Sequence, residues 1–168
     1  MKLILSDIKL NLVIDYIDLS ALKITNCIGC YSCWIKTPGK CIIRDDAIKI
    51  YTEIAKSTQL TYITKVKYGC YDTIMKTMLE RTLPIQQAFI QLINGETHHF
   101  QRDVKPKQVN IIAYQKQTIS EMEKSIFVSL VERNSYNLNF ENYNIIFTKE
   151  KDLEKCVKEV MSDDYIKR

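Results

Sequence analysis

The chain has 168 residues, with 24 basic and 20 acidic side chains, a net charge of +4 and 46% hydrophobic residues. That composition suits one domain with one core and excludes disorder as the default state. Its mixed charge gives no massed basic face, so nucleic acid is not expected as a partner. No apolar run reaches the ~18 residues of a membrane-spanning helix. The opening MKLILSDIKL lacks the apolar stretch and small-residue cleavage site of a signal peptide, so a cytoplasmic protein is expected.

Apolar runs alternate with helical periodicity along the chain. Lys2–Asp7 and Val13–Leu19 read as the first two strands. A cysteine-rich loop follows. Asp45 then offers an N-cap to a helix with Ala47, Ile48, Tyr51, Ile54 and Ala55 on one stripe. Leu60–Val66 reads as the third strand. Asp72 caps a helix with Ile74, Met75, Met78 and Leu79 on one face, and Pro84 closes its exit. Residues 85–107 show no clean period and read as an irregular excursion. Gln108–Tyr114 is the fourth strand. Ser120 and Glu123 form a capping box before a stripe of Ile126, Phe127, Leu130 and Val131. Tyr143–Phe147 is the fifth strand, and a last helix places Leu153, Cys156, Val157, Val160 and Met161 together.

Strands alternating with helices predict a three-layer α/β domain spanning the chain, with a parallel sheet in the order 2-1-3-4-5. One connection is anomalous. Only five residues separate Asp7 from Val13, whereas a parallel crossover takes about a dozen or more. The first helix is therefore expected to be missing or cut to a turn, with the second strand antiparallel or irregular as alternatives. The segment SDIKLN after the first strand holds no glycine and little room for a helix, so a phosphate cradle at a helix N-terminus cannot be read from it.

The cysteines Cys27, Cys30, Cys33 and Cys41 are spaced C-x2-C-x2-C-x7-C. Such compact spacing allows an iron–sulfur cluster, while free cysteines also pack well as small hydrophobes around a turn at Gly29. Loop packing is the expected role, with a cluster, zinc or a functional disulfide as alternatives. His98 and His99 are adjacent, so their side chains diverge and do not suit one metal. There is no Ser/His/Asp set and no spaced carboxylate pair for hydrolysis.

The stretch Cys27, Gly29, Cys30, Cys33, Trp34, then Thr37–Cys41, then Asp45-Asp46 resembles that of the flavodoxin-like NAD(P)H-dependent FMN reductases and their relatives, the iron–sulfur flavoproteins. VKYGCYDTIMKTMLERTLP is similar to that family's segment after the third strand, with Tyr68, Gly69 and Lys76 matching and Glu80-Arg81 in place of Asp-Arg. GETHHFQRD is similar to a Gly-Glu…His…Arg segment of one branch. The resemblance runs from Lys23 to Tyr114. The family's usual Gly-Ser or Ser-Arg phosphate loop after the first strand is absent, and Thr64-Lys65 stands where Ser-Pro is common.

The resemblance implies a flavin-dependent NAD(P)H oxidoreductase with FMN held at Lys65, Lys67, Tyr68, Gly69, Cys70, Tyr71 and Tyr114. Tyr68 and Tyr71 would stack on the ring, and Lys65 and Lys67 would attract phosphate or the nicotinamide cofactor. NAD(P)H would be the electron donor and a small molecule or protein the acceptor. It leaves two other readings: a non-catalytic binding or assembly module without FMN, and an electron-transfer flavoprotein with a [4Fe–4S] cluster on Cys27, Cys30, Cys33 and Cys41. A homo-oligomer is expected, with Trp34, the cysteine loop and residues 92–102 near the contact. The partly apolar excursion (Phe89, Ile90, Leu92, Ile93, Phe100) has no helical period to bury it.

Overall fold

A computed structural model describes residues 1–162. Five strands form its parallel sheet: β1 (Lys2–Ser6), β2 (Ile17–Asp18), β3 (Gln59–Lys67), β7 (Lys107–Gln115) and β8 (Phe140–Lys149). Their order is β2-β1-β3-β7-β8, and all four adjacent pairs are parallel. This is the expected 2-1-3-4-5 arrangement. A two-residue strand β4 (Cys70–Tyr71) folds back antiparallel on the end of β3.

The central strands are near-continuous apolar runs because helices cover both faces. Leu5, Tyr62, Ile63, Ile111, Ile112 and Ala113 are fully buried. Each large aliphatic side chain among them contributes about 1.5–3 kcal/mol by leaving water. A one-turn helix α1 (Ser32–Ile35) lies in the cysteine loop, and on one face of the sheet lie α2 (Ala47–Lys56), α3 (Thr73–Glu80) and α4 (Glu121–Asn137). On the other lies α5 (Leu153–Met161), with Leu153, Val157 and Val160 against Ile4, Ile63 and Ile112.

The first helix is absent, as the short connection predicted. Residues 7–16 instead run as a strap from β1 to β2 without regular structure. Ile8, Leu10, Leu12, Ile14 and Tyr16 face the α5 cluster, while Lys9, Asn11, Val13 and Asp15 between them are exposed. An extended chain alternates its side chains, so the strap covers the sheet with every second residue. It is anchored by Leu10 N–H donating to Tyr16 Oη (2.8 Å) and Asn11 N–H donating to Glu154 Oε1 (2.8 Å). The second strand is parallel, not antiparallel. It is much shorter than Val13–Leu19, because its first residues belong to the strap.

Residues 86–101 correct the expectation of an irregular excursion. They form an antiparallel hairpin of β5 (Gln86–Ile93) and β6 (Glu96–Gln101). Its turn is Asn94-Gly95, with φ of 52° and 84°, the two left-handed residues that a tight hairpin turn needs. The signal was present in LINGET. The capping box at Ser120 and Glu123 and the cap at Asp72 are as expected. No described helix is long and apolar enough to cross a membrane.

Candidate functional site

In an open α/β sheet, ligands lie beyond the carboxyl ends of the strands where the order reverses. Here that point is between β1 and β3. The register Ser6↔Ile63 carries Asp7 to the end of β3, and Lys65↔Tyr114 brings the end of β7 alongside. Asp7 is buried and accepts three hydrogen bonds: from Lys65 N–H (2.7 Å), Tyr114 Oη (2.8 Å) and Thr64 Oγ1 (3.0 Å). Burial raises its pKa above the usual carboxylate value, and these three bonds oppose the rise. Burial, together with the facing Asp7, also pushes the Tyr114 hydroxyl up.

Beyond Lys65, β3 turns through Tyr68-Gly69, both at positive φ (53° and 69°), into β4. Glycine is required at the second position. A Cβ there would stand 2.7 Å from Ile126 Cβ on α4. Tyr68, at the tip, is 84% exposed, with Lys67 Nζ 5.8 Å from its ring centroid. Asp72 N–H then donates to Lys65 O (2.9 Å), and the Asp72 carboxylate caps α3 through Thr73 N–H (2.8 Å).

Two adjoining hollows open beside this hairpin. One, of about 570 Å³, is bounded by Asn26, Lys67, Tyr68, Asp72, Thr73 and Thr77. The other, of about 560 Å³, reaches between α3 and α4 to Leu83, His99, Leu130 and Asn134. They share Cys27, Cys70, Tyr71, Lys76 and Glu80. Each lies in the size range of small-molecule sites. A third depression, of about 90 Å³, lies at the opposite ends of the strands, around Lys2, Gln59 and Gln108, away from this chemistry.

Four of the expected flavin-site residues, Lys67, Tyr68, Cys70 and Tyr71, line this cleft. Lys65 and Gly69 lie behind it. Lys65 serves through its backbone, and Gly69 is buried against α4. Tyr114 is turned into the core beneath β1 and bonded to Asp7, so its hydroxyl does not face the cleft. Asn26, Asp72, Thr77 and Asn134 were not expected from the sequence as cleft residues. The signal for Asp72 was its position as a helix cap; the others come together only through folding.

The thiols diverge. Cys27 edges the cleft, Cys30 is exposed and Cys33 is buried. Cys41 accepts from Arg81 Nη2 at 3.5 Å. Among the described residues, no three His, Cys, Asp or Glu side chains converge as a metal-ligand set, so the geometry lends the cluster reading no support. Gly29 takes φ +63°, the tight turn expected of it. The Cys30 thiol is lowered by hydrogen bonds from Ser32, whereas burial and the neighbouring thiols raise Cys33. Trp34 secures this loop by donating Nε1–H to Leu83 O (2.9 Å) and lying 4.6 Å from the His99 ring. His98 points the other way, with Nδ1 3.2 Å from Asn137 Oδ1.

The sheet order, the helices on both faces and the cleft beside β3 define a flavodoxin-like α/β fold. No protein-family model matches the chain, and no curated protein matches it in sequence. Among solved structures it is similar to an FMN-dependent NADH-azoreductase from Bacillus anthracis, in complex with FMN. That likeness has a TM-score of 0.51 and 13% identity, and covers 86% of this chain and 76% of the other. It establishes the fold.

The residues at the β1/β3 switch point do not fit an FMN phosphate. There is no helix after β1 to direct N–H groups outwards. Ile8 N–H is 3.3 Å from Ser6 Oγ, which itself donates to Ile8 O (2.7 Å). The N–H groups of Leu10 and Asn11 are spent on Tyr16 and Glu154. The ring end differs: an exposed tyrosine, two nearby lysines and an open cleft suit an aromatic ligand.

Proposed function

We propose that the chain is a flavin-dependent oxidoreductase that takes electrons from NAD(P)H and binds its flavin by the ring. The observation that carries this reading is the cleft beside the β3–β4 hairpin, with Tyr68 exposed at its rim and Tyr71 and Cys70 in its wall. The flavodoxin-like fold and its likeness to an FMN-dependent azoreductase support it. A flavin supplies the redox chemistry wherever it is bound, and a protein supplies binding, orientation and exclusion of water. Tyr68 would cover one ring face, while Lys67 and Lys76 would favour electron-rich ring edges or the nicotinamide cofactor's phosphates. The acceptor would be a small molecule or a protein. We propose a cytoplasmic location on the same reading.

The test is anaerobic. Purified protein with added flavin should bleach the flavin's absorbance on addition of NADH or NADPH, faster than flavin and nicotinamide alone. Tyr68→Ala should weaken flavin binding. An unchanged bleaching rate at saturating protein would remove the enzyme reading. A specific observation favours a second reading, a non-catalytic binding module: the polar groups at the β1/β3 switch point are already consumed within the chain.

A further inference from the structure

We propose that Asp7 is a built-in anion at the switch point, and that the cleft therefore selects a flavin without a terminal phosphate, such as riboflavin, over FMN. This rests on the flavin reading above and specifies its ligand class.

Three donors converge on the Asp7 carboxylate: Lys65 N–H, Thr64 Oγ1–H and Tyr114 Oη–H, at 2.7, 3.0 and 2.8 Å. A backbone N–H and two hydroxyls around one acidic group are the makings of an anion cradle. Here the chain fills the cradle itself. Asp7 N–H, which could also have faced a ligand, donates to Ile63 O at 3.1 Å. A second carboxylate, Glu154, is bonded to the strap through Asn11 N–H at 2.8 Å. An incoming phosphate dianion would meet Asp7 at the switch point and Glu154 on α5, with the N–H groups of Ile8, Leu10 and Asn11 already bonded within the chain. Like charges brought together in a partly dry site oppose binding strongly.

The relation to the cleft is direct. Lys65 accepts Asp72 N–H at 2.9 Å while donating to Asp7, so the filled cradle lies one residue behind the cleft wall formed by Asp72. On the flavin reading, the inference applies to a ring that enters the cleft with its ribityl chain turned towards β1. A neutral hydroxyl end suits this position, and a phosphate does not.

The experiment is a paired titration of the full chain with riboflavin and with FMN at equal ionic strength, read by quenching of flavin fluorescence. Riboflavin is expected to bind about tenfold tighter or better. Asp7→Asn removes the charge at nearly the same shape, its amide oxygen keeping the Lys65 and Thr64 bonds and its NH2 donating to the Tyr114 hydroxyl, and should bring the two affinities close together, mainly by improving FMN. Glu154→Gln, on the strap-facing side of α5, should shift the ratio in the same direction and serves if Asp7→Asn does not fold. FMN binding as tightly as riboflavin or tighter, unchanged by either substitution, would overturn the inference and leave the flavin reading standing. Binding of neither flavin would overturn that reading, and the inference with it.

Discussion

Arg81 and Asp45 meet in a two-pronged ion pair, with Nη1 2.7 Å from Oδ2 and Nη2 2.9 Å from Oδ1. Arg81 stands just past α3 and is 1% exposed. It also donates to Thr25 O at 2.6 Å and Ile43 O at 3.4 Å. Asp45 accepts from Thr25 N–H and Ala47 N–H as well. One guanidinium thus closes both ends of the cysteine loop against α3. The N-cap of α2 is Asp46, not Asp45 as expected; Asp45 lies one residue earlier, accepts Ala47 N–H at 3.2 Å, and serves mainly this bracket.

Removing Arg81 should be costly, because it leaves a largely buried carboxylate unpaired. Arg81→Ala is expected to lose about 3–5 kcal/mol in urea unfolding. Burial alone would raise the Asp45 pKa, but Arg81 and the Thr25 and Ala47 N–H groups lower it overall. Its stabilising contribution is therefore present above the ordinary carboxylate value of about 3.9 and is lost as pH falls below it. Arg81→Ala should flatten that acid limb. An unfolding midpoint within error of the parent's would contradict the bracket.

Lys107 is fully buried, and among the described residues no carboxylate pairs with it. Its ammonium donates to Lys105 O (2.5 Å) and Leu138 O (3.3 Å), and burial lowers its pKa to about 8. Between that value and the ordinary ~10.4 the unfolded chain holds the proton more often. Stability should therefore rise with pH across this window, by up to about 3 kcal/mol. Lys107→Met should abolish the rise. Equal slopes for parent and variant, followed by circular dichroism in urea between pH 7.5 and about 9.5, would show that Lys107 does not titrate this way.

Gly69→Ala places a methyl group 2.7 Å from Ile126 Cβ and 2.8 Å from Ile126 Cγ2, at φ +69°. The left-handed backbone and the overpacking together should cost about 2–4 kcal/mol. Ile126→Ala should not rescue it fully, because the nearest atom, Cβ, remains. The check is thermal unfolding of both single variants and the double. Full rescue would mean that α4 is not held at this distance.

The hairpin leaves Phe89 and Leu92 exposed, at 72% and 75%, with Ile90 and Phe100 also outward. Four large apolar side chains left exposed on one hairpin point to an interaction surface. The expected homo-oligomer would use it together with Trp34, which stacks on His99 of β6. Light scattering at micromolar concentration should give more than the 19.7 kDa of one chain, and Leu92→Glu should shift the mass towards that value. A monomeric parent would remove the proposal.

Much of the architecture was legible because it rests on local periodicity. The β-branched runs of β3 and β7, the caps at Asp72 and Ser120, and the shortness of the segment after β1 are all properties of neighbouring residues. They were enough to specify the strand order and to predict the missing helix. Asn94-Gly95 was equally local, and its hairpin could have been read from the same rules. What only the tertiary structure decided concerns residues far apart in the chain. Asp7, Thr64 and Tyr114 meet because three parallel strands end side by side, and nothing near Asp7 shows that its charge will be enclosed. Arg81 reaches Asp45 across 36 residues, and Tyr114 turns inward because its strand is covered by α5 and the strap. Hydrogen bonds and ion pairs of this range are set by strand register and helix position, and a sequence pattern carries no record of which distant donor a buried carboxylate will find.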